Sequence, residues 1–155
     1  MKNIFKSDNK AKVILFCLLI FTTTISAQKL HVKLKKDKVI LNETEVFSYK
    51  MGMTARGETR SLYNNNSNEE VIFIKIDNGG TTSGDNCEKD DFVTFNFLKE
   101  KIKVERSGSF NFKDDIAFLY LEGVFDLQGN LNLGKITLFK EKYDEKISEK
   151  IIMSR

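Results

Sequence analysis

The sequence predicts an α+β domain, an antiparallel β-sheet of about five to seven strands with one or two C-terminal α-helices packed on one face. Three observations carry that expectation. Short stretches alternating apolar and polar residues, the period of a half-buried strand, fill most of the chain up to Arg106. The apolar period lengthens to that of a helix only after Asn111. Strands that precede helices, instead of alternating with them, gather the helices against one side of the sheet. A length of 155 residues with 41% hydrophobic and 30% charged side chains suits one globular domain.

The chain opens on a leader. Lys2, Lys6, Lys10 and Lys12 precede the apolar run Val13 to Phe21, and small or polar residues lead to Ala27. Residues 1–27 therefore read as a cleavable signal peptide, cut after Ala27 to expose Gln28. The apolar run is too short for the roughly 20 residues that cross a bilayer as a helix. Bulky Phe16 before Cys17, and apolar residues continuing beyond it, argue against lipidation of that cysteine. Residues 28–155 are then a single domain, with Cys87 its one cysteine and no internal disulfide to support it. A chain of ~130 residues buries about two-thirds of its unfolded surface, enough for an apolar core without staples.

In that domain, Leu30 to Lys35 alternates strictly and Lys38 to Leu41 is β-rich, giving two short strands or one bent one. Asn42 to Glu45 reads as a turn. Val46 to Met53 sets Phe47, Tyr49, Met51 and Met53 on one side, a strand with a solid apolar face, ended by Arg56 to Thr59. Arg60 to Asn64 reads as a short edge strand, and Asn64 to Asn68 as a polar turn. Val71 to Ile76 is apolar on both faces for most of its length, the mark of a central strand covered on each side. Asn78 to Asp91 has no periodicity and forms the longest loop. Phe92 to Leu98 and Lys101 to Arg106 form a hairpin through Lys99 and Glu100.

Phe112, Ile116, Leu119 and Tyr120 then fall on one helical face, with Asn111 to cap it, Asp114 and Asp115 at the positive end of its dipole, and Gly123 to stop it. Ile136, Phe139, Tyr143, Ile147 and Ile151 predict one amphipathic helix starting near Asn132 or Leu133. A competing reading folds Val124 to Leu138 into a hairpin around Gln128, Gly129 and Asn130.

The formal charge of +3 is accounted for by the leader lysines against Asp8, which leaves the mature domain neutral. That excludes a generic nucleic-acid binder, which needs a basic face for phosphates. The five lysines of Lys29 to Lys38 alternate with Leu30, Val32 and Leu34 and read as the wet face of a strand. His31 belongs to that face. A thiol enzyme would pair His31 with Cys87 as base and nucleophile, yet neither lies in a nucleophile motif. One His and one Cys are a poor zinc set. Asp77, Asp85, Asn86, Glu88, Asp90 and Asp91 offer oxygens for calcium, but their spacing is not that of an EF-hand and Lys89 opposes the charge. Asp126 to Leu131 reads as a plain turn. The sequons at Asn42 and Asn65 matter only in a eukaryotic secretory route, whereas Lys, Asn, Ile and Phe are heavily used and Trp and Pro absent, the bias of an AT-rich bacterial genome.

In its Ala27-Gln28 junction, strand-rich first half and C-terminal helix, the chain resembles small uncharacterised exported proteins of Gram-negative bacteria. The resemblance implies a periplasmic or extracellular location and transfers no residue roles. No catalytic, cofactor-binding or metal-ligating residue is assigned, and no cofactor is expected. The leading expectation is an exported, non-catalytic binding module of the bacterial envelope whose sheet face or 78–91 loop holds an unknown protein or envelope ligand. It makes no contact with nucleic acid, nor with membrane once the leader is cut. The rival is a small extracytoplasmic hydrolase or thiol enzyme using Cys87 and His31. The odd cysteine also permits a homodimer through Cys87.

Overall fold

The computed structural model describes residues 30–78, 91–108 and 111–153. The leader, Cys17 and Cys87 lie outside them, as do residues 79–90 of the long loop. Seven strands form one antiparallel sheet in sequential order: β1 (Val32–Lys35), β2 (Lys38–Leu41), β3 (Thr44–Thr54), β4 (Gly57–Asn64), β5 (Glu70–Asn78), β6 (Asp91–Phe97) and β7 (Ile102–Ser107). Three helices follow: α1 (Phe112–Leu121), α2 (Leu133–Tyr143) and α3 (Ile147–Met153). The fold is α+β, with α1 and α2 packed on one face of the sheet.

The Leu30–Leu41 stretch is two strands, not one bent one. Lys36 and Asp37 both adopt left-handed φ, +48° and +59°, the handedness that a two-residue hairpin turn needs to match strand twist. Asn42 and Glu43 repeat the device at the next turn, with φ +45° and +72°. On β3, Val39 faces Phe47 while its neighbour Ile40 faces Glu45, so Val46 is an extra residue in a bulge. Val46 and Phe47 consequently both reach the core.

Beyond that bulge the apolar face of β3 does not hold. Tyr49 packs edge-on against Phe112 at 5.2 Å, but Met51 and Met53 are 59% and 81% exposed. They lie on the part of the β3–β4 hairpin that runs past the helices. β4 is also not an edge strand: it pairs with β3 from Gly57 onward and with β5 through Thr59 to Tyr63. The edges are β1 and β7.

The helix-covered face, face A, carries Ile72, Ile74 and Ile76 of β5, Val93, Phe95 and Phe97 of β6, and Val104 of β7, all buried. β5 is interior as expected, yet its opposite residues Val71, Phe73 and Lys75 are only half-buried, so helices cover it on one side alone. α1 spans toward β1 and α2 lies along β7. Asn111 caps α1 by accepting from the Lys113 N–H at 3.1 Å, and Asn132 caps α2 through the Lys135 N–H at 3.1 Å. Phe139 is the hub, its ring meeting Phe95 at 5.9 Å, Phe118 at 5.3 Å and Tyr143 at 5.1 Å.

The competing hairpin survives in miniature: Phe125 and Leu131 form a single bridge around the 126–130 turn, and the helix starts at Leu133. The larger difference is at residues 144–146. The predicted continuous helix from Ile136 to Ile151 breaks there, with Asp144 extended (ψ 101°) and Lys146 at φ +49°. The chain crosses the β7 edge at the break, the Glu145 N–H donating to the Glu105 carbonyl at 2.8 Å and the Glu105 N–H to Asp144 Oδ1 at 3.0 Å. These bonds occupy an edge that would otherwise offer unpaired backbone groups. They also deliver α3 to the other side of the sheet, face B.

Candidate functional site

Face B is built by register. Lys75 on β5, Thr94 on β6 and Glu105 on β7 stand side by side in one row across the sheet. Asp77 and Phe92 stand in the row above, Asn96 and Lys103 in the row below. Each alternates along its strand with a core residue of face A, so burial of Ile74, Phe95 and Val104 fixes where these polar side chains point. α3 flanks this grid and, with Ile151 and Ile152, walls a cleft of about 540 Å³; Arg56 reaches it from the β3–β4 turn.

Its charges are stratified. Asp77 and Glu105 are 3% and 2% exposed and form the floor, whereas the Lys75 and Lys103 side chains are 35% and 52% exposed and form the rim. Lys75 Nζ donates to Asp77 at 2.9 Å, and Lys103 Nζ to Glu105 at 2.7 Å. Glu105 accepts two further bonds, from the Ser148 N–H at 2.7 Å and the Ser148 hydroxyl at 2.6 Å, which tie α3 to the sheet. Burial alone would push the Glu105 carboxyl up, but the Lys103 and Ser148 bonds together outweigh it and hold the group below its ordinary range. A carboxylate held ionised by three such bonds is a weak proton acceptor.

Only some of the residues singled out from sequence are among the described ones. His31 is exposed just before β1, its N–H bonded to Asn42 Oδ1 at 3.0 Å, four strands away from β5. Cys87, its suggested thiol partner, lies outside the described residues, as do Asp85, Asn86, Glu88 and Asp90 of the calcium set. Asp77 of that set is committed to Lys75, and Asp91 begins β6. Among the described residues, no group of three or more His, Cys, Asp or Glu is placed to hold a metal ion. Asp126 does build a turn: its Oδ1 accepts from the Gln128 and Asn130 N–H groups, both at 2.9 Å. A wider, more open groove of about 840 Å³ runs past that turn, but the turn itself consumes the Asp126 carboxylate.

Apart from Asp77, sequence reasoning passed over the charged face-B residues. The signal present was the pair Lys75-x-Asp77 and Lys103-x-Glu105, opposite charges two residues apart and so on one side of a strand. No described helix is long and apolar enough to cross a membrane. Compared with known protein families, curated proteins and solved structures, the chain finds no match.

Proposed function

We propose that this chain is an exported, non-catalytic binding module of the bacterial envelope, acting in the periplasm or outside the cell after loss of residues 1–27, with the face-B cleft as its binding surface. The leader supports the location. The observation that carries the binding role is the cleft's electrostatic arrangement: rim ammonium groups held in place by floor carboxylates, Lys75 on Asp77 and Lys103 on Glu105. Such groups are pre-organised on rigid strands, so they hold a ligand without first losing side-chain freedom. Glu105, held ionised by Lys103 and Ser148, is poorly suited to take up a proton.

Two measurements test the reading. Mass spectrometry of the native product should find a chain beginning at Gln28, and Met1 still attached would contradict export. The tagged protein should recover a specific component from envelope extract, and Arg56→Ala should reduce that recovery, since Arg56 is an exposed turn residue with no part in the core. Equal recovery by wild type and variant would contradict the cleft as the binding surface.

A further inference from the structure

We propose that the face-B cleft takes a small organic anion, a carboxylate or phosphate ester carried on a body with an apolar flank; this deepens the binding-module reading and rests on it. The size is appropriate, since about 540 Å³ lies within the range of ligand pockets, roughly 300–1,000 Å³. Charge sets the ligand's sign. Arg56, Lys75 and Lys103 outnumber Asp77 and Glu105, and the cations stand at the rim where an entering molecule meets them first.

Donor and acceptor supply points the same way. Glu105 spends its oxygens on Lys103 and Ser148, whereas each lysine keeps N–H groups beyond the one given to its carboxylate. The Arg56 side chain makes no hydrogen bond or ion pair with the described residues. Among the charged groups of the cleft, the cationic donors of Arg56, Lys75 and Lys103 are thus more available than the Glu105 oxygens, an arrangement that favours an oxyanion.

An independent observation lies at the centre. Thr94 is 6% exposed, stands between Lys75 and Glu105 in its row, lines the cleft, and its hydroxyl makes no hydrogen bond with the described residues. That hydroxyl is open to the cleft, and a ligand oxygen seated between the lysines would accept its proton in a hydrogen bond. Ile151 and Ile152 form an apolar wall on the α3 side, which a bare inorganic ion would leave uncovered.

The test is amide NMR titration of the isotopically labelled protein with glucuronate, glucose 6-phosphate, inorganic phosphate and neutral glucose. Glucuronate or glucose 6-phosphate should shift the Thr94, Asn96 and Lys103 amides, weaken with added salt, and bind more tightly than inorganic phosphate; which of the two is preferred separates carboxylate from phosphate chemistry. Glucose should not bind. Thr94→Val and Arg56→Ala should each weaken the preferred anion about tenfold, the scale of one lost charge-assisted hydrogen bond. Arg56→Ala leaves the core untouched, so a folding defect in Thr94→Val cannot hide the result. No shift with either organic anion, or equal shifts with glucose, would overturn the anion assignment. Cleft-dependent recovery from envelope extract would then still stand, whereas loss of that dependence would overturn the module reading itself.

Discussion

α2 and α3 share one sequence pattern and are held in opposite ways. Ile136, Phe139 and Tyr143 continue into Ile147 and Ile151 with unbroken helical spacing, yet α2 buries Ile136 and Phe139 at 0% and 1% exposure, and α3 buries no residue fully. α2 is docked by apolar burial on face A. α3 is tethered to face B through Ser148 and the Glu105 carboxylate, after a crossing that uses the β7 edge. A periodic apolar stripe thus specifies that a helix has a side to cover, and the surface that receives it depends on what the chain meets between the turns.

The contrast is broken most forcefully at its apolar end. Phe139→Ala should destabilise the whole domain by about 3–5 kcal/mol in denaturant unfolding, the usual cost of deleting a buried Phe. A loss below about 1 kcal/mol would mean that α2 is not the anchor described. At the polar end, Glu105→Gln places an amide where Lys103 and Ser148 donate, and should weaken the α3 tether by about 1.5–3 kcal/mol, the scale of hydrogen bonds to a charged group. The effect should be local: faster amide exchange in residues 147–153, with α2 unchanged.

Acid sharpens the comparison because the two faces respond with opposite sign. On face A, burial pushes the Asp115 carboxyl up from 3.8 to about 6, against the pull of Arg60, whose NH1 is 3.8 Å away, and of Arg106. Its folded form binds a proton more readily than its unfolded form, so this group adds stability as pH falls through about 6, up to full protonation below 3.8. Glu105 is held below its ordinary 4.5, so the stability it contributes is present above that value and is lost as pH falls through its lowered one. Asp115→Asn should flatten the first response and Glu105→Gln the second, read as unfolding free energy against pH. An unchanged gain on acidification in Asp115→Asn, or an unchanged loss in Glu105→Gln, would contradict the assignment. The smallest effect belongs to Ile152→Ser: the residue is 75% exposed, and global stability should change by no more than about 0.5 kcal/mol.

Much of this architecture was legible beforehand, for reasons that can be located. Strict alternation in Leu30–Lys35 and Lys101–Arg106 marks strands because their apolar residues turn to face A and the lysines between them to the other side. Asn111 and Asn132 announce helix starts because their side chains satisfy otherwise unpaired N–H groups. What was hidden depends on partners distant in sequence. Met51 and Met53 continue an apolar period past the point where helices end, and nothing local says so. Arg60–Asn64 is brief and polar enough to read as an edge, but β5 pairs with it. The face-B cleft joins β5, β6, β7 and α3, and its acids and lysines are scattered among many similar ones until register aligns Lys75, Thr94 and Glu105 in one row. The break at 144–146 is set by the backbone of Glu105, about 40 residues upstream.

The most direct test is residue-resolved native-state hydrogen exchange across both helices near neutral pH. Protected α2 amides should exchange only with global unfolding, and α3 amides through a local opening of markedly lower free energy that Glu105→Gln lowers further. Equal opening free energies for the two helices, moving together in that variant, would contradict the division between a buried and a tethered helix.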